Sequence, residues 1–190
     1  MKEEIYMKIF FNCEFTGLHK NTTLISMGLT ADDGKEFYCE FTDYAEDQVD
    51  EWIRENVIKN LMFADQEEFS RRLGSVTFVK GDKEKIAKEL FKWLQQYKTV
   101  ELWSDCHHYD VVLFHDIFGG AFSIPDNIYY IPYDISTVFK IYGIDPDISR
   151  EAFIDRPIAG KKHNALYDAR VIKSCYDKLR RNKKEYLESI

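Results

Sequence analysis

Of 190 residues only four are cysteine and four proline, and no two cysteines form a Cys-x-x-Cys pair. Cys13, Cys39, Cys106 and Cys175 are scattered, which speaks against a disulfide frame and for reduced thiols in a cytoplasmic protein. Long apolar runs are missing too. The longest, around Val111 to Phe114, is far too short to span a bilayer. The N-terminus lacks the charged-apolar-small pattern of an export signal, so none is expected. Positive charge is in deficit, with 26 basic against 33 acidic residues and a net charge of −7. Bulk electrostatics therefore does not hold this chain on long duplexes, which leaves a short nucleic acid bound through a local basic patch and metal ions. Linkers, repeats and low-complexity tracts are also absent. With 45% hydrophobic and 15% aromatic residues, the chain reads as one folded domain over 1–190.

What is present begins with strand patterns. Met7 to Glu14, Leu24 to Thr30 and Glu36 to Phe41 read as an antiparallel meander, with Asp32-Asp33-Gly34 as turn punctuation. Val49 to Leu61 reads as a helix, with Val49, Trp52, Ile53 and Val57 at helical spacing. Lys83 to Tyr97 is the clearest helix, because Ile86, Leu90, Trp93, Leu94 and Tyr97 form one apolar stripe. A strand over Thr99 to Ser104, a helix over Tyr109 to Phe118, a fifth strand over Asn127 to Ile131 and a helix over Ile135 to Tyr142 follow. Asn164 caps a last helix that buries Ala165, Ala169, Ile172, Tyr176 and Leu179. The expected fold is α/β, with a five-stranded mixed sheet: a three-strand antiparallel meander, then two parallel strands, flanked by helices.

Three separated segments place polar groups at element ends. Asn12 and Glu14, two apart on a strand, project to one face. Asp110 follows the strand ending at Ser104, and His163 and Asp168 lead into the last helix. If the first and fourth strands are neighbours, these groups converge. Clustered carboxylates repel unless cations neutralise them, and oxygen-only ligands favour Mg²⁺ or Mn²⁺. Two such ions about 3.5–4 Å apart suit phosphodiester hydrolysis. His163, with an ordinary pKa of about 6.5, is placed to accept a proton from water.

This combination resembles the DEDDh branch of 3′–5′ exonucleases, whose fold is ribonuclease H-like. That family's pattern is Asp-x-Glu, then an aromatic-Asp pair, then His with Asp four or five residues on. The corresponding residues are Asn12-Cys13-Glu14, Tyr109-Asp110 and His163 with Asp168. The run Glu14-Phe15-Thr16-Gly17-Leu18 and the segment Tyr133-Asp134-Ile135-Ser136-Thr137-Val138 resemble those of oligoribonucleases. The His163-Asn164-Ala165-Leu166 stretch and the Trp52 helix look closest to a bacterial exoribonuclease subgroup first described in mycobacteria. The resemblance implies Asn12, Glu14, Asp110 and Asp168 as ligands of two Mg²⁺ or Mn²⁺ ions and His163 as the base. It implies that Phe15, Thr16, Gly17 and Leu18 meet the 3′ nucleotide of RNA or a short oligonucleotide, and that the protein forms a homodimer. A dinucleotide or signalling nucleotide would be hydrolysed by the same chemistry.

Other residues carry weaker expectations. Asp105 competes with Asp110, which is favoured because it follows the aromatic residue. Cys106, His107, His108 and His115 match no common zinc spacing and read as loop and helix-surface residues, with His107 or His108 a candidate to line the substrate groove. Lys162, beside His163, suits a phosphate. The basic run Lys178 to Lys184 reads as a solvated helix end. Tyr129, Tyr130 and Tyr133 read as core or interface. Asn12 stands where the pattern has aspartate. The readings are an introduced Asp-to-Asn replacement, a natural binder that does not cut, and an active natural variant. The first is favoured because the rest of the site is intact, so the chain is expected to be a silenced exonuclease.

Overall fold

The computed structural model describes residues 6–188, so the first five residues, where the stretch expected to lack an export signal begins, and the last two lie outside it. Strands β1 (Met7–Phe15), β2 (Leu24–Ala31) and β3 (Glu36–Phe41) form the expected meander. Helix α1 (Glu51–Asn56) follows, then strands β4 (Phe69–Leu73) and β5 (Val76–Gly81), helix α2 (Lys83–Leu94), strand β6 (Val100–Ser104) and helix α3 (His107–Ile117). Strand β7 (Tyr133–Asp134) and helices α4 (Ile135–Ile141), α5 (Arg150–Phe153), α6 (Ala165–Arg181) and α7 (Lys183–Glu188) complete the order. The sheet order is β4-β5-β3-β2-β1-β6-β7. Strand β6 runs parallel to β1, and β7 parallel to β6.

The sheet thus has seven strands among the described residues, not five. The hairpin β4–β5 escapes a periodicity reading because β4 is an edge strand, Phe-Ser-Arg-Arg-Leu, whose last four residues are exposed. The strand expected at Asn127–Ile131 reduces to a single bridge between Ile128 and Val100. Asn127 instead donates to the carbonyls of Leu94 and Tyr97, at 2.9 Å each. The two-residue β7 takes the outer position. The helix expected over Val49–Leu61 is a six-residue α-helix followed by a 3-10 turn at Ile58–Asn60. Asp50 caps it, accepting from the Ile53 amide at 2.7 Å. Helices α3, α4 and α6 match the expected spans within one or two residues, α2 ends at Leu94 with Tyr97 buried just beyond it, and α5 and α7 were not expected.

Alternation along β1 sorts the layers. Ile9, Phe11 and Cys13 join one core with Ile86, Leu90, Val111 and Phe114 of α2 and α3. Phe10 faces the other side, in a second core with Phe139, Ile172 and Leu179 of α4 and α6. Side chains two apart share a face, so Asn12 and Glu14 lie on the α6 side with Phe10. Each fully buried aliphatic chain in these cores contributes about 1.5–3 kcal/mol.

Gly28 lets α6 come close. It pairs with Asn12 in the sheet, and a Cβ there would lie 2.3 Å from the Leu166 Cα and backbone nitrogen. A hydrogen atom at this position brings the first turn of α6 down onto the row that holds Asn12.

Candidate active site

Glu14 is the last but one residue of β1, at a register irregularity between Glu14 and Phe15 in the pairing with β2. The turn that follows depends on Gly17, at φ 148°, a conformation that side chains rarely adopt. Thr16 builds the turn from inside. Its hydroxyl donates to Gln48 Oε1 at 2.6 Å and accepts from the Thr23 amide at 2.9 Å.

On the opposite side, Asn164 fixes the entry to α6. Its Oδ1 accepts from the Tyr167 amide at 3.2 Å, and its Nδ2 donates to the Asn60 carbonyl at 3.0 Å. Asn60 in turn donates to the Lys162 carbonyl at 3.0 Å. Between these clamps His163 adopts φ 63°, the left-handed region that costs a non-glycine residue on the order of 1 kcal/mol or more. That strain aims its ring. His163 Nδ1 lies 3.9 Å from Glu14 Oε1, and the imidazole meets Trp52 edge-on at 5.1 Å between centroids.

Two depressions meet at Asn12, Glu14 and His163. The polar one adds Asp168, Lys162, Asp105 and the turn Asp147–Glu151. The apolar one adds Phe15, Gly17, Leu18, Trp52, Ile53 and Val57. Leu18 and Trp52 are largely exposed on its rim. Asp110 lies beneath, fully buried on α3, with Oδ1 accepting from the Cys13 amide at 3.3 Å and Oδ2 without a partner.

The acids titrate abnormally. Burial, then the neighbouring Asp168, pushes Glu14 up to about 8. Burial likewise raises Asp168 to about 7, against a backbone hydrogen bond from His163 that lowers it. The two carboxyls are close enough to share a hydrogen bond. Burial also raises Asp110 well above the carboxylate range. Burial and then Lys162 lower His163, so its imidazole is neutral at pH 7. Asn12 Nδ2 donates to Glu14 Oε1 at 3.3 Å, turning a hydrogen-bond donor toward the acids.

The expected residues fall into four groups. Asn12, Glu14, His163, Asp168 and Lys162 share the polar depression, and Phe15, Gly17 and Leu18 the apolar one. Asp110 and Thr16 support these walls from within. His107 opens α3 and lines neither depression. Asp105 lines the polar depression too, but its carboxylate is held there by the Arg150 guanidinium at 2.7 and 3.0 Å. The sequence reading missed Asn60 and the Asp147–Glu151 turn, since neither carries a periodicity or motif. Ile53 and Val57 were visible only as a helix stripe.

The donor chemistry fits a hard divalent cation, being oxygen-only with one buried carboxylate oxygen unpartnered. As they stand, no three His, Cys, Asp or Glu side chains among the described residues are grouped as a metal site, so a cation would have to draw these acids together. No helix among them is long and apolar enough to cross a membrane.

Comparison with known proteins agrees with this architecture. The chain is 23% identical over 175 residues to the 3′-5′ exoribonuclease Rv2179c of Mycobacterium tuberculosis strain H37Rv, covering 92% of this chain and 90% of that one. The same figures hold for the 3′-5′ exoribonuclease MT2234.1 of strain CDC 1551. S. pombe Pop2p, solved in its Mg²⁺- and Mn²⁺-bound form, superposes with a TM-score of 0.62 at 15% identity, over 95% of this chain and 85% of that one. The mixed α/β sheet is therefore of the ribonuclease H-like type. Residues 7–179 match the model of the 3′-5′ exoribonuclease Rv2179c-like domain, and the chain belongs to that family.

Proposed function

We propose that this chain has the machinery of a divalent-metal-dependent 3′–5′ exonuclease acting on RNA or short oligonucleotides, silenced at Asn12. One observation carries the reading: Asn12, Glu14, His163 and Asp168 line one depression, and the buried Asp110, which accepts from the amide of Cys13 between Asn12 and Glu14, keeps one carboxylate oxygen unpartnered. Glu14, Asp168, Asp110 and the Asn12 carbonyl would hold two Mg²⁺ or Mn²⁺ ions. Such ions supply charge stabilisation for the attacking water and for the leaving oxygen. The metal-bound form of the Pop2p neighbour supports this choice of ion. His163, neutral at pH 7 and on the rim, accepts the proton of the water. The apolar depression receives the 3′ nucleoside. Gly17 allows close backbone approach there, Leu18 meets a base, and Lys162 attracts phosphate. The family favours ribose. Homodimerisation and a cytoplasmic setting complete the reading.

The test is a ladder assay with Mn²⁺ and the Asn12→Asp chain. RNA labelled at its 5′ end is expected to shorten one nucleotide at a time, with a matched DNA oligomer processed more slowly. A substrate blocked at its 3′ end is expected to stay intact. Internal fragments, or no products, would reject the reading.

The raised acids give a second check. From about pH 4.5 up to about 7 for Asp168 and about 8 for Glu14, the folded state keeps protons that the unfolded chain has released. Their stabilising contribution is present at lower pH and is lost as pH rises through about 7 to 8. In chelator, Tm is expected to fall from about pH 4.5 to 8 and to level off above, and Mn²⁺ is expected to reduce that fall. A Tm independent of pH and of Mn²⁺ across this window would contradict the buried acid pair.

A further inference from the structure

A row of residues crosses the sheet from the catalytic depression to its far edge. Asn12 pairs with Gly28, Gly28 with Tyr38, Tyr38 with Phe78, and Phe78 with Arg71 on β4. All five lie at the same register, so Arg71 shares the α6 face with Asn12. Four inter-strand spacings of about 4.8 Å put it roughly 19 Å away.

Arg71 is exposed, and its guanidinium stacks over Phe69 at 4.5 Å and Phe63 at 5.1 Å. It has no carboxylate partner among the described residues, whereas Arg150, Arg170 and Arg181 each have one. From Phe63 the chain leads back through the exposed Met62 to Asn60, which donates to the Lys162 carbonyl. Exposed Lys161 and Lys162 likewise have no ion pair among the described residues. In a chain of net charge −7, Arg71, Lys161 and Lys162 are thus exposed cations without ion pairs among the described residues, although the exposed Asp65 and Glu67 lie in the segment between Phe63 and Phe69.

We infer that Arg71, on the β4–β5 hairpin, is a contact for the 5′-side phosphates of a single-stranded RNA whose 3′ end occupies the catalytic depression. A dinucleotide cannot reach it, so it acts only on longer strands. The two aromatic rings hold the guanidinium plane in place, so little side-chain entropy is lost when a phosphate binds. This rests on the exonuclease reading and adds a length preference to it.

The test is fluorescence anisotropy with phosphorothioate-linked single-stranded RNA, which resists cleavage, at dinucleotide length and at about eight nucleotides. The unmodified chain, Arg71→Met and Arg71→Glu are compared in Mg²⁺. Arg71→Met keeps the apolar contact with the rings and removes the charge. Both variants are expected to melt like the unmodified chain. Arg71→Met is expected to bind the longer RNA about five- to tenfold more weakly and to lower its salt slope by about 0.7, with dinucleotide binding unchanged. Arg71→Glu is expected to weaken the longer RNA further. If the longer RNA keeps its affinity and salt slope in both variants, the Arg71 contact is wrong and the exonuclease reading stands. If the unmodified chain binds neither RNA, both readings fall.

Discussion

Replacing Asn12 with aspartate is expected to raise the rate of 3′-terminal nucleotide release about a hundredfold or more in Mn²⁺. The amide differs from a carboxylate in two ways that both oppose metal binding. It removes one negative charge from a site whose other acids are Glu14, Asp168 and Asp110. It also places Nδ2 3.3 Å from Glu14 Oε1, where it donates a hydrogen bond to an oxygen that a cation would need. A carboxylate restores two acceptor oxygens and can bridge two ions. The same change adds repulsion beside a Glu14 already raised to about 8, so without metal the Asn12→Asp chain is expected to melt lower. Mn²⁺ is expected to reverse that deficit. Release rates and melting curves on both position-12 forms, with and without Mn²⁺, read out the two effects. An unchanged rate in the aspartate form would show that Asn12 does not silence the site.

Gly28→Ala is expected to lose stability and activity together, although Gly28 touches no substrate. The added Cβ would lie 2.3 Å from backbone atoms of Leu166 and 2.4 Å from the Ala165 carbonyl carbon. These atoms belong to the first turn of α6 and have no flexible end that can yield. The turn must retreat, carrying Asp168 and the strained His163 away from Glu14. Overpacking of this kind costs about 1–3 kcal/mol. A displacement of about 1 Å at reacting groups lowers a rate up to roughly a hundredfold. Denaturant midpoints would measure the first effect. The second is read in the Asn12→Asp background, where kcat is expected to fall further than KM rises. A Gly28→Ala chain with the midpoint and rate of its parent would refute the close approach as a determinant of the site.

Gly28 also shows where sequence reading stops. As one glycine in a strand it carries no local signal, and its importance comes from a helix about 140 residues further along the chain. Asn60 is similar: its bonds to Lys162 and Asn164 span more than one hundred residues. Arg71 sits in a strand that periodicity misses, because an edge strand with one partner and solvent on its other side needs little apolar alternation. Glu14, Asp110, His163 and Asp168 could be proposed from sequence because each stands in a local pattern: two side chains on one strand face, an acid at a helix start, and a histidine ahead of a cap.

The sequence by itself determined the meander, the long helices, the identity of the acids and histidine, and the anomaly at Asn12. Each follows from side-chain period or from residue chemistry over a few positions. Only the tertiary structure decided that β6 lies parallel beside β1, that Asp110 reaches the site from the opposite face of the sheet, and that Asp105 is held by Arg150. It also decided that Asn12 hydrogen-bonds Glu14 and that Arg71 shares its row across the sheet. These depend on which distant segments pack together, and packing is settled by the whole core at once.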